Sequence, residues 1–187
     1  QERVNLLSSF LVSWATLMLQ LSGQEEVVVG LPQSAQSSQP ETRHLVGCFV
    51  GILPLRVSVP DCSTWRETLR RVYTALLEAV QHSTVPFFRI LQAVNPTRSS
   101  AYNPIFQTIA QLLPHEDQSD SDMDVAERVT AGGSVAVDLW LNLAEGRGDV
   151  FDGVLTFDSA IFNRSAAQQL ADQFLCVLRC AAAEPDI

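Results

Sequence analysis

The sequence has no lysine: all twelve basic residues are arginine. That excludes a lysine Schiff base and a lysine-bearing phosphate loop within this chain. Histidine is scarce as well. His44, His82 and His115 lie far apart, and no Ser-His-Asp or Cys-His set with motif support joins them. Positive charge is short against twenty-one acidic residues, leaving a net charge of −9, so no basic face is expected for the phosphates of a nucleic acid. The longest apolar runs are broken by Ser, Thr, Gln or Arg before they reach the length of a membrane span. Neither nucleic acid nor membrane is an expected partner. No basic-then-apolar leader heads the sequence. The chain opens on Gln1 rather than Met, as expected of a piece of a longer polypeptide, and a cytoplasmic location is expected.

The four cysteines, at 48, 62, 176 and 180, lack the Cys-x-x-Cys spacing of a zinc or redox motif. Cys176 and Cys180 are one helical turn apart, a spacing that a metal can use. With every histidine distant and no carboxylate completing a local set, the expectation is no metal site and buried free thiols in a reducing compartment.

What is present is apolar: hydrophobic residues make up 47% of 187 positions and charged residues 18%. That suffices for one folded domain or one lobe of a larger one. Leu7, Phe10, Leu11, Trp14, Leu17, Met18 and Leu21 follow helical spacing over 4–21, and Gly23 stops the helix. A short strand over 26–30 and a Ser/Gln/Pro-rich loop over 31–43 follow, then a strand over 45–57 that carries a proline where a central strand should not tolerate one. Thr64 and Glu67 form a capping box for a second helix striped by Trp65, Leu69, Val72, Leu76 and Val80. Pro86 opens a short third helix, and a β-like run follows at 105–113.

Residues 115–130 are acidic and serine-rich. Asp120-x-Asp122-x-Asp124 resembles a calcium loop only superficially, because it has no central glycine and Ala131 stands where the distal glutamate belongs. A mobile, solvated loop is expected there. A hairpin over 134–158 alternates apolar residues on both arms, with Trp140 as the exception, and Asn163 caps a last helix. The order α-β-β-α-α-β-β-β-α predicts an α/β fold, a mixed sheet covered by helices.

Five segments, taken together, resemble the condensation domain of non-ribosomal peptide synthetases, and specifically its second half. Gly30-Leu-Pro-Gln-Ser-Ala-Gln36 keeps Gly30 and Pro32 of the family's Gly-Thr-Pro-Val-x-Gly-Arg loop but not its arginine. In Gly47-Cys-Phe-Val-Gly-Ile-Leu-Pro-Leu-Arg56, the positions Gly47, Phe49, Val50 and Arg56 match Gly-x-Phe-Val-Asn-Thr-x-x-x-Arg, while Gly51 and Ile52 replace the Asn-Thr pair. His82-Ser-Thr-Val-Pro86-Phe87-Phe88 matches His-Gln-x-x-Pro-Phe-Glu without its glutamate, and Tyr102-Asn103-Pro104-Ile105-Phe106 matches Arg-Asn-Pro-Leu-Phe. Ala160-Ile-Phe-Asn163 matches the family's entry to the last helix.

The resemblance implies one lobe of a two-lobed fold similar to chloramphenicol acetyltransferase, with residues 1–187 as its C-terminal lobe and the hairpin 134–158 as a candidate crossover to the N-terminal lobe. It implies amide formation between a donor acyl thioester and the amine of an acceptor aminoacyl thioester. Both substrates ride on phosphopantetheine arms of carrier proteins, with no cofactor bound directly. The implied partners are the N-terminal lobe, the upstream and downstream carriers and adjacent synthetase domains. The family's catalytic histidine motif belongs to the missing lobe, so no catalytic residue is expected here and the isolated fragment is expected to be inactive. Ser34 and Arg56 are the substrate-channel candidates; Gly30, Pro32, Gly47, Phe49, Val50, Pro86, Phe87, Asn103 and Pro104 are expected to serve architecture. The competing readings are an acyl-CoA-dependent acyltransferase of the same fold and a degenerate, non-catalytic lobe that docks carriers.

Overall fold

Asn5 opens the first helix, its side-chain oxygen accepting the Ser8 N–H at 3.0 Å, which satisfies a donor that a helix start otherwise leaves unpaired. The computed structural model describes residues 5–34, 40–42, 44–59, 64–97, 99, 102–113, 137–145 and 150–184. Helix α1 spans Leu6–Ser22 and ends on Gly23, whose left-handed φ of 66° lets its N–H reach the Leu19 carbonyl. Ser8, Leu11, Val12, Ser13, Trp14 and Ala15 are fully buried around its circumference, so α1 is the central helix of the core rather than a surface helix with one apolar stripe.

Strand β1 (Glu26–Ser34) and strand β2 (Val50–Ser58) follow, with a 3-10 turn at Pro40–Thr42 between them. Helices α2 (Trp65–Gln81) and α3 (Phe87–Val94) precede strands β3 (Thr108–Leu113), β4 (Leu139–Glu145) and β5 (Phe151–Phe157), and helix α4 (Arg164–Ala183) closes the chain. This is the element order that the sequence predicts. The capping box of α2 is made in full: the Glu67 N–H donates to Thr64 Oγ1 at 3.2 Å and the Thr64 N–H to the Glu67 carboxylate at 3.3 Å. Asn163 caps α4 by accepting the Ala166 N–H at 2.8 Å.

The sheet runs β2-β1-β3-β4-β5, antiparallel at both outer pairs and parallel between β1, β3 and β4. Two expectations change. The stretch expected to begin a loop at 31–34 continues β1 through Pro32, and the strand expected from 45 begins only at Val50. Pairing along all nine residues of β1 and β2, from Glu26 opposite Ser58 to Ser34 opposite Val50, overrides the local turn preference of Pro, Gln and Ser.

Both prolines fit for a topological reason. Pro54 faces Gly30 and Pro32 faces Ile52, two registers apart and so in the same phase of the ladder. Antiparallel N–H groups alternate between partner and outside, so prolines in that phase remove only outward donors. On β2 that side is the sheet edge. On β1 it faces β3, which pairs only with Val29 and Gly30.

Helices α1, α2 and α4 cover one face, where Val29, Leu31, Leu55, Val57, Ala110, Leu141 and Leu143 join Leu11, Trp14, Leu69, Val72 and Phe174 in one core. Trp14 anchors it: its indole N–H donates to Thr108 Oγ1 at 2.8 Å, and its ring meets Phe174 edge-on at 5.7 Å. The cysteines do not behave as expected. Cys48, Cys176 and Cys180 are all exposed, because helical phase turns Ala167, Leu170 and Phe174 of α4 toward the core and the two cysteines away from it. Cys62 and the acidic 115–130 segment lie outside the described residues.

Candidate functional site

The sheet face opposite α1, α2 and α4 holds residues of four of the matched segments; the fifth, Ala160–Asn163, leads into α4, and its Phe162 packs against the helix-backed core. By strand alternation, Gly30, Pro32, Ile52, Pro54, Ile109, Trp140 and Asn142 point to this side. Gly30 is where two motifs touch: a Cβ built there would lie 2.9 Å from the Phe106 ring and 3.0 Å from Ile52 Cγ2. Only glycine lets the ring lie against the strand. Phe106 is itself buried and meets Phe87 edge-on at 5.6 Å. Phe106 is held from below by Asn103, whose Oδ1 accepts the N–H groups of Ile105 at 3.0 Å and Phe106 at 3.2 Å. Pro104 sits inside that turn, where its missing donor costs nothing. Gly30, Pro86-Phe87 and Asn103-Phe106, scattered over the sequence, thus converge.

Beside that cluster opens a groove of about 330 Å³, lined by Gln33, Cys48–Leu53 and Ser83–Phe87. The element geometry explains it. β2 begins at Val50, α2 is capped by His82, and the turn from there to the α3 N-cap Pro86 lies against the end of the ribbon. Phe49, Val50, Pro86 and Phe87 line the groove directly; Gly47 precedes it, with the Phe49 ring 3.2 Å from where its Cβ would stand. Gly51 also lines the groove and has open space at its Cβ position, so a side chain there would not collide.

The two channel candidates are not brought together. Ser34 is the last residue of β1, half-buried, opposite Val50 and next to groove residue Gln33. Arg56 lies opposite Val28, six residues down the ribbon, about 20 Å away at the usual strand rise. There it pairs with Glu26 at 3.8 Å, both side chains mostly in water, where such a pair contributes little. His82 is exposed at the end of α2, beside the groove but not among its lining residues. His44 is exposed in the turn before β2, and His115 lies outside the described residues. Among the described residues no group of three or more His, Cys, Asp or Glu is placed to hold a metal ion.

Gln33, Ser83 and Thr84, the polar groups of the groove, lie inside two of the matched segments, but at positions where the residue differs from the family's or the motif leaves it open. Two further donors mark the same sheet face. Trp140 Nε1 and Asn142 Nδ2 are buried and meet no acceptor among the described residues. At the foot of the outer hairpin, burial and then the nearby Asp158 carboxylate push the Asp138 carboxyl above its ordinary value.

The family model of the condensation domain matches residues 1–187, the entire chain. The chain belongs to the condensation-domain family. A dimodular nonribosomal peptide synthase of Bacillus subtilis is 31% identical over 98% of this chain, which spans 8% of that protein. The malpinin synthetase of Mortierella alpina is 31% identical over 89% of this chain and 2% of its own length. Among solved structures, the X-domain from teicoplanin biosynthesis superposes with a TM-score of 0.83 at 22% identity, over 98% of this chain and 42% of that one. A four-domain nonribosomal peptide synthetase bound to AMP and glycine gives 0.85 at 20% identity, over 98% and 15%. These place the fold as the condensation-domain fold, an α/β architecture similar to chloramphenicol acetyltransferase.

Proposed function

We propose that this chain is the C-terminal lobe of a peptide-synthetase condensation domain. It forms one wall of the reaction tunnel and supplies contacts to the acceptor, while proton handling resides in the N-terminal lobe. The observation that carries this reading is the coverage: 98% of this chain overlays 42% of the teicoplanin X-domain chain, and residues of three of the matched segments line one groove. The donors of Trp140 and Asn142 on that face call for acceptors, since a buried unpaired N–H costs about 1–3 kcal/mol. The β4–β5 hairpin is the element that crosses toward the other lobe.

In the complete domain, a donor acyl thioester and an acceptor aminoacyl thioester, each on the phosphopantetheine arm of a carrier protein, meet between the lobes. The acceptor amine attacks the donor carbonyl, and the product leaves as an amide on the acceptor carrier. What this chain contributes is placement: two tethered arms held in line convert an encounter into a near-unimolecular step. Ser34, next to groove residue Gln33 at the end of β1, faces the acceptor. Arg56, held by Glu26 at the far end, serves the lobe's own structure.

The test is amide formation from carrier-bound substrates by this chain alone and by the chain rejoined to an N-terminal lobe. Turnover is expected only from the rejoined domain; turnover by this chain alone overturns the division of labour. Gly51, Ile52 and Phe88, standing where the family has Asn, Thr and Glu, favour a second reading, a lobe retained to dock carriers. A rejoined domain that binds both carriers but forms no amide selects it, and amide or ester formation from acyl-CoA without carriers selects an acyltransferase instead.

A further inference from the structure

Outside the groove, α4 carries a chemical group that the condensation reading does not use. Cys176 and Cys180 stand at i and i+4 on its solvent side, both exposed and both free thiols. Helical spacing sets them one above the other on that side, and hydrogen bonding to the Cys176 thiol, then the charge of Cys176, slight desolvation and the Glu184 carboxylate hold the Cys180 thiol above its ordinary value. The opposite side of α4 is occupied by Phe174 against Trp14, so chemistry at the thiols leaves the core alone. We propose that Cys176 and Cys180 form a dithiol chelate for one soft, thiophilic centre of the trivalent arsenical class.

Distances decide between this and a disulfide. On a helix, the Cβ atoms of residues i and i+4 are about 5–6 Å apart, whereas a disulfide requires about 3.5–4.5 Å. Closing a direct S–S bond therefore bends the helix. One inserted atom, bonded to each sulfur at about 2.3 Å as in a zinc–thiolate unit, spans the gap between adjacent turns without moving the backbone. Soft thiolate pairs select soft centres over hard cations. The step balances without electron transfer: an arsenic(III) oxide forms two As–S bonds, its As–O bond breaks, and the two thiol protons leave with the oxygen as water.

Titration of the whole chain with phenylarsine oxide in excess glutathione, read by intact mass, tests this. One equivalent is expected, gaining the phenylarsenic group and losing two protons, retained against the monothiol and stripped by dithiothreitol. Cys176→Ser and Cys180→Ser should each weaken retention at least tenfold with an unchanged circular dichroism spectrum, whereas a Cys48→Ser/Cys62→Ser double variant should retain the adduct. Diamide should leave the 176–180 pair reduced. Retention by either single variant, loss in the double variant, failure of the unaltered chain to hold one equivalent, or ready closure of a 176–180 disulfide each overturns the proposal.

Discussion

On the helix-backed face of the sheet, Val29, Leu55, Ala110 and Leu141 pack against α1, α2 and α4, and the requirement is bulk and apolarity. On the opposite face, Gly30, Ile52, Phe106 and Phe87 interlock, and the requirement is particular residues. A core of the first kind tolerates volume-conserving exchange for less than about 1.5 kcal/mol. The second kind fixes a surface whose shape matters more than its contribution to stability. Stability and specificity are thus separated across one layer of strands.

Substitutions on the two faces sharpen or break this separation. Trp14→Ala removes a fully buried ring, its edge-on contact with Phe174 and the bond to Thr108, and should cost about 3–5 kcal/mol in urea unfolding. Gly30→Ala drives a methyl against Phe106 at 2.9 Å and should cost about 1–3 kcal/mol. In a rejoined domain it should lower amide formation far more than its stability loss explains. Phe106→Leu should partly rescue it, read as a double-mutant cycle; if Gly30→Ala merely destabilises, the contrast between faces fails.

Arg56→Gln, breaking an exposed pair at the ribbon's far end, should change stability by about 0–1 kcal/mol and leave acceptor turnover unchanged; a large loss of turnover would place Arg56 in the channel. Asp138→Asn probes a place belonging to neither face. Its carboxyl is raised, by burial and then Asp158, so the folded state holds the proton more tightly than the unfolded chain. Stability therefore falls as pH rises from the ordinary carboxylate value through the folded one. The variant should melt slightly higher than the parent at neutral pH, with the difference vanishing in acid below the ordinary value.

The helix-backed face was legible in the sequence because periodicity encodes it: the apolar spacing of α1 and α2 and the caps at Thr64 and Asn163 read directly, whereas the Asn5 cap did not. The opposite face was legible only as motifs. Nothing local to Gly30 announces Phe106, seventy-six positions away, as the ring that requires it. The extension of β1 through Pro32 was hidden because the phase of a ladder is a property of two strands. Exposure of Cys176 and Cys180 was misjudged from the general habit of cysteine, although the phase set by Leu170 and Phe174 already turned them outward. Trp140 looked like a break in alternation because the second face of β4 is largely covered too, with Asn142 and Ala144 buried.

Pro54 has a consequence for assembly. A polypeptide seeking to add itself as a further strand outside β2 would meet a missing donor at the middle of that border, which is how natural sheets discourage templated aggregation. β5, from Phe151 to Phe157, has no such interruption. Any growth of this sheet, whether by a legitimate neighbour or by a second copy in a concentrated preparation, is thereby directed to β5.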